Sequence, residues 1–206
     1  MVHVSDEAAG ERRRPALSAD VARLAREAGT GDPYAKVELA HATAEAVVQA
    51  GRGAASHTDL TRLVDAVGLD TLAELWQDSA PDSLPGALWA LYLLQTWCSR
   101  NGEQVARLYR AGRAFAPVDE VVAGVADSAE SEHLQQLTTT ILSGAYGGDF
   151  ALALDRAASF FRIISLGREV LAADGESEEL RRAGANLDRA VALASAGRAW
   201  RSGELR

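Results

Sequence analysis

Leu84-Pro85-Gly86-Ala87-Leu88-Trp89-Ala90-Leu91-Tyr92-Leu93-Leu94-Gln95-Thr96-Trp97-Cys98 decides how the rest of the chain is read. No charge occurs from Ser83 to Ser99, and Ala87 to Leu94 is apolar at every position. The run is well short of the about 18 apolar residues that a membrane span needs. A helix that is apolar all round, in a chain without such a span, belongs in a core. Residues 86–100 are therefore expected to form a buried central helix with the other elements packed around it.

Outward from this stretch, the punctuation is that of helices throughout. Gly29-Thr30-Gly31 separates a helix of about 18–28 from one opened by Asp32 and Pro33, whose stripe is Tyr34, Val37, His41, Ala44 and Val48. Pro lacks the N–H that a first helical turn leaves unpaired anyway, so Pro33 is well placed. Shorter helices follow Ser56 or Thr58 and span Thr71 to Gln77.

Beyond the central run, Asn101-Gly102 turns the chain into a helix carrying Val105, Leu108 and Tyr109. Pro117 opens a short one with Val121, Val122 and Val125. Ser128 or Ser131 starts a helix with Leu134, Leu137, Ile141 and Ala145, and Gly147-Gly148 ends it. Asp149 caps the next, with Phe150, Leu154, Ala157, Phe161 and Ile164 in register. Gly167 and Ala173-Asp174-Gly175 read as a hinge before a last helix of about 177–200, whose stripe (Leu180, Ala183, Leu187, Ala190, Val191, Ala194) is rich in small residues.

Sustained apolar/polar alternation, the mark of strands, is absent; Val118–Val125 is the one ambiguous stretch. The expected fold is all-α, an irregular bundle of about eight helices. The turns at Gly102-Glu103 and Gly148-Asp149 lie 46 residues apart, within the roughly 40–47 residues of HEAT-type repeats. HEAT-like hairpins are thus an option, with an irregular bundle favoured. The expected organisation is a tail at 1–16, a bundle at 17–172, and a C-terminal helix and tail at 173–206 packed on the bundle or on a partner.

The stretch LPGALWALYLLQTW (84–97) followed by NGEQVARLYRAGRAFAPVDEVVAGV (101–125) looks like helical proteins of GC-rich bacteria, a resemblance that implies no activity. Arg supplies nearly all the positive charge, and Lys36 is the only Lys, as codon bias in such a genome would produce. The net charge of −8 disfavours nucleic acid, whose binders need a basic surface to displace counterions. With one cysteine, Cys98, no disulfide forms within the chain. The N-terminal residues lack the apolar segment of a secretory signal, so the expected location is the cytoplasm, with no membrane partner.

Two Glu-x-x-His pairs, Glu38/His41 and Glu130/His133, lie 92 residues apart, with Glu11 and Glu103 each 27 residues before one of them. Residues i and i+3 share a helix face, and ferritin-like di-iron proteins use two such pairs plus two further Glu. Glu11 falls in the tail, however, and Glu103 and Glu130 fall at helix starts, where acids suit the helix dipole. No metal and no cofactor are expected. His41 is expected half-buried against Glu38 or Glu45, and Cys98 as a small core hydrophobe. Arg107, Arg110 and Arg113 are the local basic cluster, a solvated face or a patch for an anion or a partner.

No P-loop, G-x-S-x-G or C-x-x-C occurs, and no catalytic residue stands out. The expected function is a non-enzymatic helical interaction or adaptor protein that self-associates, a homodimer through 177–200 being one form. The alternative is a metal-dependent (di-iron) or small-molecule-binding helical bundle.

Overall fold

The computed structural model describes residues 33–53, 74–124, 130–172 and 177–206. Among these residues there is no strand. Seven helices run α1 (Pro33–Gly53), α2 (Leu84–Arg100), α3 (Gly102–Arg113), α4 (Pro117–Ala123), α5 (Ser131–Gly147), α6 (Phe150–Leu171) and α7 (Ser177–Ser202). A helical turn at 74–76 precedes α2. The expected all-α bundle is thus the fold. The tail at 1–16, the helix expected near 18–28 and all of 56–73 lie outside the described residues.

Local chemistry sets the boundaries. The Ser83 hydroxyl accepts from the Gly86 N–H at 3.3 Å, with Pro85 in the first turn of α2. The Asp149 carboxylate accepts from the Leu152 N–H at 3.1 Å and starts α6. Each supplies one of the partners that the first turn of a helix lacks. Gly124, at φ 79°, ends α4 in the left-handed region that glycine enters without strain, and so the ambiguous stretch at 118–125 begins as a helix.

The centre of the bundle is α6 rather than residues 86–100. Helices α7, α3, α4 and α5 all pack along α6, and α2 touches it more lightly. Ala151, Ala153, Ala157, Ala158, Ser159 and Ser165 keep α6 slim enough for neighbours on several sides, and all are buried. Three of its five charges are met by those neighbours. Arg162 pairs with Asp119 of α4 at 3.1 Å, Arg168 with Glu179 of α7 at 2.6 Å, and Asp155 with Arg201 of α7. By contrast α2 is buried along one side only, through residues such as Leu88, Leu91, Leu94 and Cys98, while Trp89, Tyr92, Leu93 and Trp97 are half-exposed.

Gly167 is not a hinge; it lies inside α6. There α3 and α6 cross with backbones in contact. A β-carbon on Gly167 would overlap the Leu108 carbonyl oxygen, and one on Gly112 the Ile163 carbonyl oxygen. Beside this crossing, Tyr109 packs on Phe160 with ring centroids 5.2 Å apart.

The stripe of α1 is also displaced. Tyr34 is 83 % exposed and Val37 is exposed, whereas Leu39, Ala40, Thr43, Ala44, Val47 and Val48 are buried. Thr43 can be buried because its hydroxyl donates to the Leu39 carbonyl at 2.8 Å and accepts from Trp76 Nε1 at 3.1 Å. On α4 the apolar positions likewise face out. Val121 is 80 % exposed and Val118 and Val122 are exposed, Ala123 being the buried residue; Val125 lies outside the described residues. That helix is held instead by Asp119 on Arg162 and by Glu120 on Arg113 at 2.5 Å.

Helix α7 packs along α6 through Ala183, Ala190, Leu193 and Ala196, and it also touches α2. The Ser165 hydroxyl donates to the Ala183 carbonyl at 2.8 Å. At the far end, Trp200 meets Phe150 edge-on at 4.7 Å. The Leu84 N–H, left free by the start of α2, donates to the Arg206 carbonyl at 2.9 Å.

Candidate functional site

The half-exposed residues of α2 are not scattered. Trp89, Leu93 and Trp97 are spaced by four, which on a helix makes one stripe. Across from it α7 presents Arg182, Ala185, Asn186 and Arg189, and α6 supplies Phe161 and Arg168 between them. Together they line a groove of about 420 Å³ running from Trp97 to Leu93. A second hollow of about 190 Å³ shares Leu93 and Arg189 with the first and continues along α2 to Trp89, Ala90 and Gly86. The two adjoin at Leu93 and Arg189 between α2 and α7.

Arg168 is 7 % exposed, an unusual depth for a guanidinium. Its Nη1 donates to Glu179 Oε2 at 2.6 Å, and its guanidinium carbon lies 5.4 Å from the Trp97 ring centroid. Its Nε is buried with no hydrogen-bond partner. Asn186, 5 % exposed, has a buried Nδ2 that is equally without one. Two donors are therefore buried and unsatisfied in residues of the same groove, where native proteins pair nearly every such group.

Around them runs a ladder of ion pairs. Glu179 accepts from Arg168 and from Arg182, the latter at 2.8 Å, while Glu178 accepts from Arg181 at 2.8 Å and from Arg182 at 2.9 Å. Burial raises the Glu179 pKa, but the hydrogen bonds and charges of Arg168 and Arg182 outweigh it and hold the carboxyl below its ordinary range. Glu178 is lowered chiefly by its hydrogen bond from Arg181. Arg189 has no carboxylate partner among the described residues. Four guanidiniums (Arg168, Arg181, Arg182, Arg189) against two carboxylates leave 4 − 2 = +2 at the groove, in a protein whose net charge is −8.

A third hollow, of about 360 Å³, lies at the α5–α6 turn. It has one unpartnered donor, Arg156 Nε, and no aromatic wall.

The residues singled out in the sequence lie elsewhere. Glu38 is exposed and His41 half-buried on α1. Glu103 is exposed at the start of α3, and Glu130 and His133 are exposed at the start of α5. Among the described residues no three His, Cys, Asp or Glu side chains come together as a metal could use; Glu11 lies outside those residues. No hydrogen bond joins His41 to Glu38 or Glu45 among the described residues. Arg107 and Arg110 are exposed on α3, while Arg113 is tied to Glu120. Cys98 is fully buried, and desolvation pushes its thiol up to about 12 against a weaker lowering by its hydrogen bond with Thr138. A thiol so held stays protonated and inert near neutrality.

The groove residues Arg168, Asn186, Arg182 and Arg189 were not legible in the sequence as a group. The signal available was the Trp89/Leu93/Trp97 spacing on a helix with no polar face. Compared with protein-family models, curated proteins and solved structures, the chain finds no match.

Proposed function

We propose that the protein is a non-enzymatic binding module that holds a small amphipathic anion in the groove between α2, α6 and α7. The observation behind this reading is the pair of buried, unpartnered donors, Arg168 Nε and Asn186 Nδ2, on residues that line one groove, with the Arg168 guanidinium over the face of Trp97. An unsatisfied buried donor costs about 1–3 kcal/mol, and an oxyanion offers acceptors to both. Leu93, Trp97 and Phe161 give an apolar body somewhere to lie, and the surplus positive charge favours an anionic head. Binding is favoured over turnover because the groove's two carboxylates are held ionised by arginines and offer no free base.

Calorimetric titration with phenylacetate, octanoate and the neutral analogue octanol tests the reading. The anions are expected to bind and octanol to bind far more weakly. Arg168→Met should weaken the anions by about 10-fold or more, as loss of a charge-assisted hydrogen bond implies. Asn186→Leu, which leaves the Glu179 pair intact, should weaken them less. Equal binding of octanol, or unchanged binding in Arg168→Met, would remove the groove as an anion site.

A second reading, self-association, has its own support on the other flank of α7. Leu180, Leu187 and Val191 are all exposed there, and the space where a β-carbon on Gly184 would sit is open. The spacing 180, 184, 187, 191 is that of a coiled-coil seam. In an antiparallel pair of copies, Leu180 would meet Val191, and Leu187 would fit over Gly184. Arg181 and Asp188 would then face one another across the seam, so the charges match as well as the shapes. Light scattering across a concentration series should show a dimer that Leu187→Arg converts to monomer. A wild-type monomer at all concentrations would dismiss this reading.

A further inference from the structure

We infer, resting on the reading of the groove as an anion site, that its ligand is a linear acyl carboxylate of medium chain length. Its carboxylate sits at Arg168 and Asn186 and its chain lies along α2 toward Trp89. Three features lead to this class of molecule.

The first is the head. Arg168 Nε and Asn186 Nδ2 are two unpartnered donors, one for each oxygen of a carboxylate. The second is continuity. At Leu93 the groove meets another hollow. The second hollow shares Leu93 and Arg189 with it and goes on past Ala90 and Ala192 to Trp89. A compact aromatic acid would occupy the first hollow and leave the second vacant. The third is length and lining. Trp97 and Trp89 are eight residues apart on one helix face, roughly 12 Å at the helical rise, which a chain of about ten carbons spans. The bridge between the hollows is the Leu93 side chain on one wall and Arg189 on the other. The stem of an arginine can cover an apolar chain while its guanidinium stays in water. Beyond Arg189, the polar members of the second hollow, Gln77 and Ser79, are neutral.

The test is a series of saturated carboxylates from hexanoate to dodecanoate, below their micellar concentrations, with phenylacetate as the compact anion. Tryptophan fluorescence and calorimetry read affinity and stoichiometry on the full chain. One molecule per chain is expected. Affinity should rise up to about fourfold per added carbon as far as decanoate and level off beyond it. Ala192→Phe, which fills the second hollow, should bring decanoate down to the affinity of hexanoate while leaving phenylacetate unchanged. If that variant does not fold, Trp89→Ala, which removes the end wall, should flatten the gain between octanoate and decanoate.

A flat chain-length series, or phenylacetate equal to decanoate, with binding still weakened by Arg168→Met, would overturn the acyl inference and leave the anion site standing. No binding by any of these anions, or binding indifferent to Arg168→Met, would overturn the site itself and the inference with it.

Discussion

Gly167→Ala is expected to destabilise the protein by about 3 kcal/mol, lowering the melting temperature by roughly 10 °C in a chain of this size. On an open helix the same change would stabilise by up to about 1 kcal/mol, because glycine has more backbone freedom to lose. The sign reverses here because the new methyl group would overlap the Leu108 carbonyl oxygen, and backbone cannot rotate aside as a side chain can. Only separation of α3 from α6 relieves the overlap, and that loosens the Tyr109–Phe160 contact beside it. Gly112→Ala meets the Ile163 carbonyl in the same way. Since one separation of the helices accommodates both methyl groups, the double variant should cost less than the sum of the two. Thermal melts followed by circular dichroism decide it. A melting temperature equal to or above wild type would mean that the helices do not cross in backbone contact.

Leu91→Asp is expected to leave no stable fold at 25 °C. Leu91 is 1 % exposed on the inner face of α2, in the same cluster as Leu88, Leu94 and Cys98. A carboxylate there must be neutralised or dragged out to water, at several kcal/mol on top of the lost packing. The whole stability of a domain is about 5–15 kcal/mol. Leu93→Asp, two residues away on the groove wall, is the control, and it should fold, since Leu93 is half-exposed. Circular dichroism and gel filtration of the two variants together separate burial from mere apolarity. If Leu91→Asp melts like wild type, the inner face of α2 is not core.

The same pair of residues shows how far the sequence could be read. The helical character of 84–100 follows from Pro85, the Ser83 cap and the apolar run, and the class of the fold follows from punctuation of this kind along the chain. What periodicity could not separate was Leu91 from Leu93, since both belong to an unbroken apolar run with no polar face to set the register. The centre of the bundle was misplaced for a related reason. Asp155, Arg162 and Arg168 make α6 look like a surface helix, and only the partners Arg201, Asp119 and Glu179, 11 to 46 residues away, make its burial tolerable. Thr43 displaced the stripe of α1 because its hydroxyl is satisfied by its own helix and by Trp76, which no count of apolar residues reveals. The groove was the least legible part. Two tryptophans eight residues apart, with Leu93 midway, are visible in the sequence, but an unsatisfied donor is a property of three-dimensional surroundings.

The two ends of α7 are fastened by different balances of force. Near its C-terminus, Trp200 lies against Phe150, and Leu205 packs against the core beyond it; contacts of this kind are indifferent to ions and to acid, and one ion pair, Arg201 on Asp155, stands beside them. Near its N-terminus, beside the groove, the ties are the guanidinium–carboxylate pairs of Glu178 and Glu179. Salt weakens the exposed ones among them. Because the Glu179 carboxyl is held below its usual range, the support it gives is complete at neutral pH. That support is withdrawn only when acid carries the solution down through the lowered value. The helix is in effect a cantilever: anchored chiefly by grease at one end, latched by a denser set of charges at the other, with the mouth of the groove beside the latch.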